Sequence, residues 1–243
     1  MDGSRIEIES RFNGPTESGQ GGYSCGVFAG LLPGQGPAEV TLRKPIPLGR
    51  PLGVDRLEGG AIAVIDDDAL VAEARSAPLE IEVPPPVSLG EAARASERFR
   101  SEAEVFARCF VCGPQREDSQ RVFPGPVEGR RVVATPWTPE DEWLADGDFV
   151  RPEFVWAVLD CPTHFALEID RPGILTMMGR MTARLLEPVP FGEPHVVVAW
   201  PIGSEGRKHE AGSAVFSGSG ELRAAAKAIH IEVGGAPDPG SAA

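Results

Sequence analysis

Two stretches of the chain are apolar on all sides and predict buried helices. They are GGYSCGVFAGLL, residues 21–32, and RPEFVWAVLDCPTHFAL, residues 151–167. Pro152 suits the first position of a helix, and Glu153 suits the positive end of its dipole. Because a helix without a polar face is unsuited to a protein surface, we expect each helix to be covered by a sheet.

The segments around these helices contain strand and turn patterns that occur twice. VTLRKPIPLGRP, residues 40–51, returns as MTARLLEPVPFGEP, residues 181–194, with Thr41 matching Thr182 at an offset of 141 positions. In each half a hairpin signal follows the repeat: three aspartates at 66–68, and Ser-Gly-Ser-Gly at 217–220. Small and acidic residues between alternating apolar runs are typical of hairpin turns.

Each half also has a candidate strand ahead of its helix, RIEIESRF in the first and RRVVATPW in the second. The order in both is then strand, buried helix and several antiparallel strands. This order predicts an α+β fold with two antiparallel sheets, each wrapped around one central helix. The chain would divide into an N-terminal unit at 1–83 and a C-terminal unit at 108–233.

The segment between the two units, residues 84–107, predicts a linker that carries a short helix. Three prolines end the first unit, and Ser88 then provides a helix cap. The last ten residues, GGAPDPGSAA at 234–243, predict a disordered tail because they hold little that a core could bury.

Charge and composition narrow the classes of partner. The formal net charge is −13, which argues against a nucleic acid because phosphate binding needs clustered lysine and arginine. No apolar run approaches the ~18 residues that cross a bilayer, and the N-terminus has no secretory signal pattern. We therefore predict a cytoplasmic protein without membrane contact. Its four cysteines are expected to be thiols.

In several short sequence phrases and in the order of its predicted elements, the chain resembles a known superfamily. The phrases FNGP…GGY and CFVCGP…FPGP…RPEFVWAVLDCP look like those of bacterial thioesterase-like proteins. The order of elements resembles the double hotdog, in which two hotdog units are fused in tandem. The resemblance covers nearly the whole chain and implies an acyl thioester, on CoA or a carrier protein, as substrate. It also implies a homodimer.

Hydrolysis of a thioester needs a carboxylate and hydrogen-bond donors aimed at the developing oxyanion. Asp160, in the second helix, is the predicted acid. Asn13 and the backbone N–H groups of Gly21 and Gly22 are the predicted donors, with Gln20 as a less favoured amide. In the hotdog thioesterases that this chain resembles, the acid and the donors come from opposite halves, which implies one composite site. The residues also permit turn roles for the donors and a cap or ion pair for Asp160.

Two other functions remain open. Asp160 and His164 resemble the Asp/His pair of hotdog enoyl-CoA hydratases, but their spacing is one residue short and the intervening Asn is absent. His164 is alternatively a core residue or a substrate contact. A non-catalytic binder of acyl-CoA or another small ligand would keep the helices and make Asp160 replaceable.

Arg207 and Lys208, in the basic stretch GRKH, are the predicted contacts to the CoA phosphates, unless that stretch is simply a solvated strand edge beside a turn.

The pair Cys109 and Cys112 is half of a zinc site by spacing. The other ligands would have to come from Cys25, Cys161 or a histidine, and none of these stands at the spacing of a zinc knuckle. The sequence therefore favours buried structural thiols. No metal and no cofactor is predicted.

Overall fold

The computed structural model describes residues 4–34, 36–101 and 104–234, and these form an antiparallel sheet with three helices. The helices are α1 (Gly21–Ala29), α2 (Leu89–Ser96) and α3 (Pro152–Leu167). The strands are β1 (Ser4–Glu7), β2 (Ala38–Leu42), β3 (Pro51–Arg56), β4 (Ile62–Asp66), β5 (Ala69–Ser76), β6 (Gly125–Pro126), β7 (Val133–Trp137), β8 (Ala145–Asp146), β9 (Phe149–Val150), β10 (Leu175–Leu185), β11 (His195–Glu205), β12 (Lys208–Ser217) and β13 (Leu222–Gly234). The predicted α+β class is correct.

The sheet is continuous, which corrects the expectation of two separate sheets. Eleven strands lie in the order β1-β3-β4-β5-β2-β10-β13-β12-β11-β7-β6, and β8 and β9 form a separate ribbon. The two halves join where β2 pairs antiparallel with β10. This pairing satisfies the backbone groups of two strands that would otherwise be exposed edges.

The strand order is the same in both halves when read outward from the centre. It is β2, β5, β4, β3, β1 on one side and β10, β13, β12, β11, β7 on the other. At the junction Val40 is the Cα partner of Met181, and these two positions differ by the same 141 as Thr41 and Thr182. The repeat in the sequence thus coincides with a repeat in topology, and its origin by duplication stays a prediction.

The helices α1 and α3 pack directly on each other inside the curve of the sheet. Two glycines of α1 allow this: a Cβ atom on Gly22 would lie 2.4 Å from the carbonyl oxygen of Trp156, and one on Gly26 would lie 2.6 Å from the Cα atom of Glu153. α3 continues through Pro162 to Leu167. As predicted, both helices are mostly buried.

The helix α2 covers the other face of the sheet. The Ser88 side chain caps it by accepting the Glu91 backbone N–H, and the Glu91 carboxylate accepts a hydrogen bond from the Ser88 backbone N–H. Along β11, Val196 and Val198 pack with α2, whereas Val197 and Ala199 belong to the core around α1 and α3, the alternation expected of a strand covered on both faces. The predicted tail falls, from residue 235 on, outside the described residues.

None of the described helices is long and apolar enough to cross a membrane.

Candidate active site

The acid predicted in the second helix lies against the N-terminus of the first. The Oδ2 atom of Asp160 accepts a hydrogen bond from the Gly22 backbone N–H and another from the Gln20 side chain, each at 2.7 Å. Asp160 is only 7% exposed. Burial raises its pKa from 3.8 to about 7, although the Gly22 hydrogen bond works in the opposite direction. Its Oδ1 atom has no hydrogen-bond partner in the described part of the chain.

Gln20, and not Asn13, is the amide that reaches this carboxylate. Gln20 is the N-cap of α1, and its Oε1 atom accepts the Tyr23 N–H at 2.6 Å. That bond orients the Nε2 group toward Asp160. The signal was present in the sequence, since the residue before the first turn of a helix is where capping side chains occur.

Asn13 has a different set of partners. Its Oδ1 atom accepts a hydrogen bond from Arg116 at 2.7 Å, and its Nδ2 group donates to the Arg108 carbonyl at 3.1 Å. It therefore ties the loop before α1 to the segment after α2. The structure brings Gly21, Gly22 and Asp160 together as predicted but leaves Asn13 outside the group.

A cavity of about 580 Å³ opens beside Asp160. Its lining is mainly apolar and comes from both halves: Gly21, Leu42, Ile46, Phe106, Phe165, Met178 and Ile231 are among the residues that form it. Gly21 is one of the lining residues, and its backbone N–H has no partner among the described residues. The cavity thus combines apolar walls, a carboxylate and a free donor at a helix N-terminus.

Two histidines line the cavity and are joined by one hydroxyl group. The Oγ1 atom of Thr176 lies 2.9 Å from Nδ1 of His164 and 3.1 Å from Nδ1 of His230. Burial lowers the pKa of His164 to about 4 and that of His230 to about 3. Both rings are therefore neutral near pH 7. His164 was predicted as a substrate contact, whereas nothing in the sequence singled out His230.

The spacing of Asp160 and His164 does not make them a bonded pair. Both line the cavity, but Asp160 bonds to α1 whereas His164 bonds to Thr176. No hydrogen bond joins the two side chains in the described part of the chain. The hydratase alternative gains no support from this geometry.

Three of the four cysteines meet next to Asp160. The sulfur atoms of Cys109, Cys112 and Cys161 all lie within 4.8 Å of one another. Hydrogen bonds from Cys112 and Cys161 hold the pKa of Cys109 well below its usual range, and backbone N–H groups of Cys112 and Val111 add to this effect. The sequence left Cys161 as one of several possible partners of the CxxC pair and could not single it out, since the two are far apart along the chain.

The predicted phosphate contacts are not among the residues that line the cavity. Arg207 and Lys208 are at the turn between β11 and β12, where Arg207 donates to the Glu232 carbonyl. Two other basic residues, Arg43 and Lys44, line the cavity. Arg43 is paired with Glu73 at 2.6 Å, while Lys44 is exposed and has no ion-pair partner among the described residues.

Comparison with known proteins gives matches in structure. No family model and no curated protein matches the sequence. A proposed thioesterase from Novosphingobium aromaticivorans superposes with a TM-score of 0.62 at 13% identity, covering 95% of each chain. A hotdog-fold protein of unknown function from Alicyclobacillus acidocaldarius gives 0.60 at 13%, covering 95% of this chain and 92% of that one.

An acyl-CoA thioesterase II, TesB2, from Mycobacterium marinum gives a TM-score of 0.55 at 11% identity, covering 94% of this chain and 91% of that one. At such identities the likeness concerns the fold. Its coverage shows that the match extends over both halves and across the junction between them. The protein therefore has the hotdog fold along nearly its whole length.

Proposed function

We propose that this protein hydrolyses acyl thioesters at the N-terminus of α1, with Asp160 as the general base. The observation that carries the proposal is the buried contact of Asp160 with Gly22 and Gln20 beside an apolar cavity. Burial of a carboxylate there costs stability, and carboxylates whose pKa is raised in this way are concentrated at functional sites. The TesB2 neighbour is named as an acyl-CoA thioesterase, which agrees with this assignment.

The reaction would begin with the thioester carbonyl oxygen at the Gly21 N–H. A water oxygen attacks the carbonyl carbon and gives its proton to Oδ1 of Asp160, while the carbonyl electron pair moves onto the oxygen. The helix N-terminus stabilises that negative charge. Collapse of the intermediate re-forms the carbonyl, breaks the C–S bond and returns the proton from Asp160 to sulfur. The products are a carboxylic acid and a free thiol.

Gln20 is a positioning residue in this scheme. Its side chain is held by Tyr23 N–H on one side and holds Asp160 on the other. Together with Gly22 it occupies Oδ2 and leaves Oδ1 for water. Fixing the base in this way removes rotational freedom that the transition state would otherwise have to lose.

The substrate fits as a fatty or aromatic acyl group in the apolar cavity with the thiol carrier at its entrance. Lys44, unpaired and exposed at the lining, is the residue we assign to a carrier phosphate in place of Arg207 and Lys208. Phosphate groups on CoA and on phosphopantetheine would both suit a lysine ammonium.

The test is release of free thiol from acyl-CoAs of increasing chain length and from aromatic acyl-CoAs. Asp160→Asn should lower kcat/KM by about 10²- to 10⁴-fold, the range for loss of a general base. Glu153→Gln is the matched control, because Glu153 is an acid on the same helix that pairs with Arg151 and does not line the cavity. It should retain turnover.

Binding of a thioether analogue, which cannot be hydrolysed, separates catalysis from affinity. Asp160→Asn should bind the analogue as the parent does. If the parent binds the analogue but releases no thiol from any acyl-CoA, the protein is an acyl-binding module and the enzymatic proposal fails.

A further inference from the structure

The three cysteines beside Asp160 come from two separate parts of the fold. Cys109 and Cys112 stand at the ends of a tight turn after α2, and Cys161 projects from α3. Within the described residues the group contains no fourth thiol, imidazole or carboxylate, so Cys25 is not a member. All three members line the cavity.

The turn has the features of a metal-binding knuckle, a CxxC turn whose backbone N–H groups point at the first sulfur. Backbone N–H groups of Val111 and Cys112 hydrogen-bond the Cys109 sulfur, and Gly113 N–H closes the turn onto the Cys109 carbonyl at 2.8 Å. A Cβ atom at position 113 would lie 2.5 Å from that carbonyl oxygen, so the turn requires glycine. Such outer hydrogen bonds commonly orient metal ligands.

The distance between sulfurs fits a tetrahedral ion. Zinc binds each thiolate at about 2.3 Å, which places two sulfurs of a tetrahedron about 3.8 Å apart. The Sγ atoms of Cys109 and Cys161 are 3.8 Å apart. A disulfide would need them at about 2.05 Å. Three sulfurs that nearly form one face of a tetrahedron leave its fourth vertex unassigned.

We propose that Cys109, Cys112 and Cys161 bind one zinc ion whose fourth coordination position opens to the cavity. The ion would fasten the turn at 109–113 to α3 next to the catalytic acid. Three protein ligands with an exchangeable fourth are characteristic of reactive zinc centres, whereas purely structural sites are closed by four. A small thiol entering the cavity would suit the fourth position, because zinc favours thiolate ligands.

Metal content and cobalt spectroscopy test the site in the full chain without a tag. Protein stripped of metal and then supplied with Zn²⁺ should retain one equivalent after desalting. Co²⁺ in its place should give the intense thiolate-to-metal charge-transfer absorption of a cysteine-ligated tetrahedral ion. Addition of cysteamine, a small thiol, should shift that absorption. An unchanged spectrum would overturn the open fourth position.

Serine substitutions distinguish cysteines that bind the zinc ion from a cysteine outside the group. Cys161→Ser should weaken Zn²⁺ binding by at least about 100-fold, since binding depends strongly on ligand identity and protonation. Cys25→Ser is the matched control, because Cys25 is a fully buried thiol outside the group. It should keep one equivalent. Loss of metal from both variants alike would count against the site.

Measurements on the parent protein alone can also overturn the proposal, whether or not the variants fold. If Zn²⁺ does not bind and all four thiols react with a thiol reagent equally with and without it, the cluster is not a metal site. A Cys109–Cys161 disulfide in the purified protein that persists under reducing conditions would contradict it as well. These readouts need no substrate, so their outcome is independent of the proposed hydrolysis.

Discussion

The N-termini of α1 and α3 occupy equivalent places in the two halves but differ in what surrounds them. At α1, Gln20 caps the helix, two glycines follow, and Asp160 accepts a hydrogen bond from the second of them beside the cavity. At α3, the N-cap Arg151 lies over the ring of Phe154, 4.9 Å from its centroid, and bonds to Glu153.

The α3 end is filled by aromatic side chains. The rings of Phe12, Tyr23 and Trp143 all lie within 6 Å of the Phe154 ring, measured between centroids. α1, with the sequence GGYSCGVFA, offers no acid to the α3 N-terminus. Under the proposed function, the two ends differ because small residues at α1 leave room for a ligand and α3 supplies a carboxylate, whereas aromatic rings fill the equivalent space at α3.

The largest effect is expected from adding a methyl group where α1 packs against α3. Gly22→Ala places a Cβ atom 2.4 Å from the Trp156 carbonyl oxygen and 2.6 Å from the Asp160 Cβ atom. Both contacts are too short to persist, so the free energy of unfolding should fall by about 3 kcal/mol and turnover should be lost. Gly30→Ala is the control, because its nearest contacts are 3.4 and 3.5 Å. Equal denaturation midpoints for the two variants would contradict the close packing.

The two cavity histidines predict a loss of stability in acid. Because the pKa of His230 falls to about 3 in the fold from about 6.5 in the unfolded chain, the unfolded state binds more protons between these values. His230 thus contributes stability that is complete above pH 6.5 and decreases as the pH falls, by about 1–2 kcal/mol between pH 7 and 5.

His164 acts in the same direction, with Glu168 as a nearby acid at 3.7 Å. Urea unfolding at several pH values measures the slope of stability against pH. His230→Gln should reduce that slope. An unchanged slope in this variant would assign the acid sensitivity to other groups.

A smaller effect on turnover is expected from replacing the N-cap residue of each helix by alanine. Gln20→Ala removes the donor to Asp160 and the acceptor for Tyr23 N–H, so kcat should fall about tenfold, equivalent to about 1.4 kcal/mol of transition-state stabilisation. Arg151→Ala, the equivalent change at the other helix, should leave kcat within about twofold of the parent because no chemistry occurs there. Similar losses in both variants would show that Gln20 acts only through folding.

The smallest effect is expected at the cavity entrance. Lys44→Ala should raise KM for an acyl-CoA about three- to fivefold, as for other exposed charge pairs. KM should not change for an N-acetylcysteamine thioester, which carries no phosphate. Lys208→Ala is the control and should change neither value. A rise in KM for both substrates with Lys44→Ala would exclude a specific phosphate contact.

Much of the fold was predictable because its signals are local. The apolar stretch at 151–167 appears as α3 with its start at Pro152, and the hairpins at 66–68 and 217–220 connect the predicted strands. Ser88 caps a helix as expected. Each of these features depends on residues within a few positions of one another, where periodicity and capping carry information.

The site was predicted less completely. Asp160, Gly21 and Gly22 meet as expected, but the amide that reaches the acid is Gln20. Asn13 and Gln20 have the same donor chemistry, and only the N-cap geometry of α1 decides which one points at Asp160. The basic residues that line the cavity are likewise Arg43 and Lys44, and neither Arg207 nor Lys208 is among them.

By itself the sequence determined the two buried helices, the hairpins and the repeated order of elements, since hydrophobic periodicity and turn residues specify these locally. Only the tertiary structure decided that the halves share one sheet through Val40 and Met181, and that Cys161 joins a CxxC turn about fifty residues earlier in the chain. Such contacts depend on strand register and on how closely α1 approaches α3. Both arise from packing between distant segments, which leaves no period in the sequence.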